Sequence, residues 1–97
     1  MKEKKILQSA IDIFGDTAQT DMMIEEMSEL TKALLKYRRD LRRGGQMQTL
    51  CRMAVLEEMA DVGIMLDQMR IIYGDENEYR EEKLKRLAER LGMKVDE

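Results

Sequence analysis

Residues 23–41, MIEEMSELTKALLKYRRDL, and residues 55–73, VLEEMADVGIMLDQMRIIY, decide how this chain folds. In the first, Met23, Met27, Leu30, Leu34, Tyr37 and Leu41 recur four and three apart; in the second, Val55, Met59, Val62, Leu66, Met69 and Tyr73 do the same. That spacing marks long helices with a narrow, coiled-coil-like seam. Each stretch also carries one acidic phrase, Glu25-Glu26-Met27-Ser28-Glu29-Leu30 and Glu57-Glu58-Met59-Ala60-Asp61-Val62. Carboxylates three apart share one side of a helix, so Glu26 pairs with Glu29 and Glu58 with Asp61. Gathered in that way they suit a hard cation such as magnesium.

Outward from these segments the chain reads as all-α. It has no proline, only 4% aromatic residues, and many good helix formers. Glycines at 15, 44, 45, 74 and 92 punctuate it into four helices. They are expected near Lys2–Phe14, Thr17–Arg43, Met47–Tyr73 and from Asp75 or Asn77 to Leu91. Asp16 offers an N-cap with Gln19 in the capping-box position, and Leu84, Leu87, Ala88 and Leu91 predict a shorter packing helix at the end. The 97 residues make a single domain with no linker, small enough that oligomerisation is expected.

Composition removes several chemistries. The chain has no histidine, which excludes serine-histidine triads, imidazole zinc sites and the Glu-x-x-His signature of di-iron bundles. The lone Cys51 has neither a disulfide partner nor a catalytic histidine and reads as a small core residue. Lys and Arg number 17 against 20 Asp and Glu, a net charge of -3 that argues against a dedicated nucleic-acid binder working through net charge, though not against a local basic patch. The run Lys36, Arg38, Arg39, Arg42 and Arg43 is such a patch, and it also complements a helix C-terminus. No apolar run reaches membrane-span length, and the start leads into an amphipathic segment, so a soluble, cytoplasmic protein is expected.

The short turn around Gly44 and Gly45 predicts an antiparallel pairing of the two long helices, in which residues at one height have numbers summing to about 89. Glu26 then meets Asp61, and Glu29 meets Glu58. At roughly 100° per residue both pairs are offset to the same side of their seams by about 60° and 120°, which puts four carboxylates on one face, flanked by Glu25 and Glu57. One acidic phrase alone is ordinarily a solvated face; two that meet at one height repel unless a cation is present. Magnesium commonly bridges to substrate phosphates, so metal-assisted phosphoryl chemistry is expected.

The pattern Glu25, Glu26, Glu29, a spacer, then Glu58 and Asp61 resembles the MazG-like nucleoside triphosphate pyrophosphohydrolases. The likeness extends to Gln19, to residues 30–36 and to the 60–72 helix. It implies an all-α, oligomeric enzyme, a homodimer or homotetramer, that cleaves a nucleoside triphosphate between the α and β phosphates in nucleotide-pool housekeeping. The resemblance makes Glu26, Glu29, Glu58 and Asp61 ligands of magnesium, with manganese as the alternative. It makes Glu25 an accessory ligand or water-orienting base; Lys32 and Lys36, beside the acids, are candidate phosphate contacts. Two rival readings are a phosphoribosyl-ATP pyrophosphohydrolase, for which the expected lysine ahead of the acidic phrase is missing, and a non-catalytic helical interaction module.

Overall fold

The computed structural model describes residues 2–94. Among them are four helices and no strand: α1 (Glu3–Phe14), α2 (Asp16–Arg42), α3 (Gln48–Tyr73) and α4 (Asn77–Arg90). None is long and apolar enough to cross a membrane. The boundaries fall within about two residues of those expected from glycine placement and apolar periodicity.

Helices α2 and α3 form the body, and they run antiparallel. At one end the Gln19 side chain donates to Gln68 Oε1 at 2.5 Å; at the other, Gln48 donates to Tyr37 Oη at 3.2 Å. The turn between them is built on Asp40, whose carbonyl accepts the Gly45 N–H at 2.8 Å and whose carboxylate accepts the Met47 N–H at 3.0 Å. Gly44 and Gly45 reverse the chain at φ +111° and +73°, a region in which a Cβ is strained.

The seam between the helices differs from the expected one. Its least exposed positions are Gln19, Met23, Glu26, Leu30, Ala33, Tyr37 and Asp40 on α2, against Cys51, Val55, Glu58, Val62, Met65, Met69 and Ile72 on α3. Spacing is still four and three, but only alternate members of the expected stripe take part. Met27, Leu34 and Leu41 on α2, and Met59, Leu66 and Tyr73 on α3, remain exposed. Each helix has turned by about 50° relative to the expected seam. Two isolated helices have no room for both apolar rows of each partner, so one row packs inward and the other faces out.

Gln19 also departs from expectation. Gly15 holds the N-cap position of α2 without a side-chain cap, and the Gln19 amide is buried against Gln68 rather than closing a capping box. Helix α1 buries Leu7 and Ile11 and packs on both long helices at their Gln19–Gln68 end. Gln68, lying off the α3 seam toward the side of Asp61, is only 4% exposed, so α1 covers that side.

Helix α4 does not pack on the body, contrary to the packing role expected for it. Leu84, Leu87 and Leu91 are exposed and none of its residues is buried. What holds it is its first turn. Arg70 makes a forked ion pair with Glu76, at 2.9 and 2.7 Å, and another with Asp67 at 2.7 Å, while Asp75 accepts the Asn77 N–H at 3.0 Å. The Arg70 bond pulls the Glu76 carboxyl down to about 2. This contribution is present above the ordinary value of 4.5 and is lost as the pH falls toward 2.

Truncating Ile11 to alanine removes half of what anchors α1. The expected cost is about 2–4 kcal/mol, read as a lower urea midpoint, whereas Ile13→Ala, at a residue 75% exposed, should leave the midpoint nearly unchanged.

Candidate metal centre

Because α2 and α3 are antiparallel, residues whose numbers sum to between 87 (Gln19 with Gln68) and 89 (Thr20 with Met69) stand level. The acidic phrases therefore meet. Glu26, Glu58 and Asp61 bring one carboxylate oxygen each to within 4.8 Å of one another. Glu26 and Glu58 sit in the seam itself and are half-buried, while Asp61 is exposed at its edge. This is a correction to the expected 60° offset for Glu26 and Glu58: the turning of both helices carries these two inward and leaves Glu29 and Asp61 about 60° further round.

The other expected members lie around this triad. Glu29 stands outside it, its Oε1 accepting from Lys32 Nζ at 3.4 Å, yet close enough to act electrostatically on both seam acids. Partial burial, and then the charges of Asp61, Glu58, Glu25 and Glu29, push the Glu26 carboxyl above its ordinary range. Partial burial, Asp61, Glu29 and Glu57 do the same to Glu58. Glu25 and Glu57 are exposed, one residue before each seam acid. Of the two candidate phosphate contacts, Lys32 is engaged with Glu29, and Lys36, one turn on, is exposed.

The donor set fits a small hard cation. With oxygens at roughly 2.1 Å from an octahedral magnesium, neighbouring ligands are about 3.0 Å apart and opposite ones about 4.2 Å, so three oxygens within 4.8 Å of one another draw together through side-chain rotation to hold one ion. The face is open, leaving room for further oxygen ligands from water or substrate. The concave surfaces lined by Lys83, Arg86, Glu89 and Arg90, and by Tyr79, Leu84 and Leu87, lie on α4 and not over the carboxylates.

Two polar constellations escaped the sequence reading. One is the Gln19–Gln68 amide pair, since glutamine carries no periodic signal. The other is Asp67–Arg70–Glu76, of which only the Asp67 to Arg70 spacing of three was visible in advance. No family model, curated protein or solved structure matches the chain.

The raised carboxyls at Glu26 and Glu58 carry a definite sign. A carboxyl that binds its proton more tightly when folded contributes stability below the ordinary value of 4.5, and that contribution is lost as the pH rises through its folded pKa. In chelator, Glu58→Gln should therefore raise the melting temperature near neutral pH, with the gain vanishing below about pH 4. Added magnesium should raise the melting temperature of the unaltered protein and not that of Glu26→Gln/Glu58→Gln, measured by thermal melting in both buffers.

Proposed function

We propose that this protein is a magnesium-dependent nucleoside triphosphate pyrophosphohydrolase of the MazG-like kind. The observation that carries the reading is the convergence of Glu26, Glu58 and Asp61 to within 4.8 Å from two acidic phrases about thirty residues apart. Gathering like charges in a half-buried seam is unfavourable without a cation, and a hard dication with open coordination positions suits the phosphates of a nucleotide.

In this reading Glu26, Glu58 and Asp61 hold the ion, and Glu29 joins them when Lys32 turns to substrate. Magnesium supplies positive charge that offsets the charge developing on the departing pyrophosphate. Glu25, exposed beside the triad, orients a water toward the α phosphorus and takes its proton. The water oxygen bonds to the α phosphorus, the α–β bridging P–O bond breaks, and nucleoside monophosphate and pyrophosphate separate. Lys32 and Lys36 bind the phosphate chain as point charges.

The active form in this proposal is a homo-oligomer, a dimer or tetramer, in which α2 and α3 of two copies complete a four-helix core. The accessible surface supports it. A compact monomer of 11.4 kDa exposes about 5,800 Å², whereas this chain exposes 8111 Å². The excess is more than the roughly 800 Å² per partner of a standard interface. Met27, Leu34, Leu41, Met59, Leu66 and Tyr73 lie together on the side of the helix pair away from Glu29 and Asp61, so a second copy can cover them without closing the acidic face. Nucleotide-pool housekeeping in the cytoplasm is the corresponding role.

Two measurements test this. Incubation with a panel of ribo- and deoxyribonucleoside triphosphates should release pyrophosphate with magnesium and none with chelator, and Glu58→Gln should cut the rate by about a hundredfold or more. No turnover of any triphosphate would leave a helical interaction module as the better reading. Light scattering should give a multiple of 11.4 kDa, and Met27→Lys/Leu66→Lys should reduce it toward the single-chain mass.

A further inference from the structure

The acidic face continues toward the α2–α3 turn as a basic edge. Lys32, Lys36, Arg39 and Arg43 follow one another at four, three and four residues along the side of α2 that carries Glu25 and Glu29. All four are exposed, and among the described residues only Lys32 makes an ion pair. The helix dipole accounts for cations in the last turn of α2 but not for Lys36 and Lys32, which lie about one and two turns further in. The stripe is roughly 16 Å long, and a triphosphate held at the carboxylates reaches only its beginning. Arg39 and Arg43 are left without a role in hydrolysis of a free nucleotide.

Opposite this edge the α3 side of the same face is apolar. Leu50, 59% exposed, and Ala54, also exposed, stand level with residues 33–39 of α2. The strip thus has cations on one side, about 5 to 6 Å apart, and exposed apolar side chains on the other. An extended nucleotide strand has this division: phosphates along one edge, bases along the other. A polyphosphate has no use for the apolar side, and a free nucleotide has no use for the far cations.

We propose that the substrate of this site is the 5′-triphosphate end of a single-stranded nucleic acid, its phosphodiester backbone running from the carboxylates along Lys32, Lys36, Arg39 and Arg43. The proposal rests on the phosphoanhydride reading for its chemistry and on the stripe for its substrate class. Water bonds to the α phosphorus of the terminal nucleotide, the α–β bridging P–O bond breaks, pyrophosphate leaves, and the strand keeps a 5′-monophosphate. The net charge of -3 keeps affinity for an internal stretch of strand low, so recognition needs the triphosphate and the stripe together.

The test uses the full-length protein with magnesium, a 5′-triphosphorylated decamer as RNA and as DNA, and the corresponding free triphosphate. The expected kcat/KM on one decamer is at least about tenfold that on the free nucleotide, and the preferred sugar follows from which one. Arg39→Gln/Arg43→Gln should lower that ratio about tenfold, whereas Arg38→Gln/Arg42→Gln, which removes the same charge from the other sides of α2, should leave it unchanged. Equal or better turnover of the free nucleotide, or equal loss from both pairs of substitutions, overturns the proposal. A second arm needs no catalysis: fluorescence anisotropy of a decamer carrying a non-hydrolysable α,β-methylene 5′-triphosphate, titrated with magnesium at several salt concentrations. Loss of Arg39 and Arg43 should flatten the salt dependence by about 1.4 in the log–log slope. Strand binding with this signature but no pyrophosphate release from any substrate discards the phosphoanhydride chemistry and keeps the strand site. Turnover of free nucleotides with no strand binding discards the strand site alone.

Discussion

Two glutamates held half-buried in the seam between α2 and α3 set the terms for the rest of this molecule. Glu26 and Glu58 occupy positions that a pair of helices would ordinarily fill with leucine, and each faces other carboxylates there. Their mutual repulsion and loss of hydration oppose the pairing. The rows Met23, Leu30, Tyr37 and Val55, Val62, Met69 offset it, with the Gln19–Gln68 amide bond and α1 closing one end and the Asp40-centred turn closing the other. A cation would convert the central repulsion into an attraction.

The same choice leaves the molecule with two unlike faces. Away from the acids lies an apolar row on each long helix, which together with the undocked α4 leaves a surface larger than a compact chain of this mass would expose. Toward the acids the surface carries the carboxylates at its centre, bounded by α1 at one end and, at the other, by the basic edge of α2 beside exposed Leu50 of α3. The radius of gyration, 17.3 Å, against about 12.5 Å for a compact chain of this length, describes the same open body. Helix α4 adds to it, held at its base by Arg70 and otherwise free of the body.

Much of this was legible in the residues. Glycine placement located the helix ends, and the two repeated phrases put Glu26, Glu58 and Asp61 at one level, because position along a helix depends only on rise per residue, while Glu29, expected with them, lies outside the triad. The burial of Cys51 followed from its chemistry. Other readings missed. Gln19 looked like a capping-box partner because local spacing is all a capping box requires, yet a buried amide partner 49 residues away outweighed it. The stripe of α4 looked like a packing face, but amphipathicity states only that a helix has a face to cover, not that its own chain covers it.

The sequence by itself determined that there are four helices, where they begin and end, and which acidic residues share a level. Only the tertiary structure decided how far each long helix is turned about its axis. A heptad pattern defines a stripe some 100° wide, and within it a turn of about 50° exchanges one apolar row for a polar one at almost no cost to the periodicity. What selects between them is the sum of many weak side-chain contacts across both helices, α1 and the turn. That sum placed Glu26 and Glu58 in the seam and left Met27, Leu34 and Leu41 facing outward.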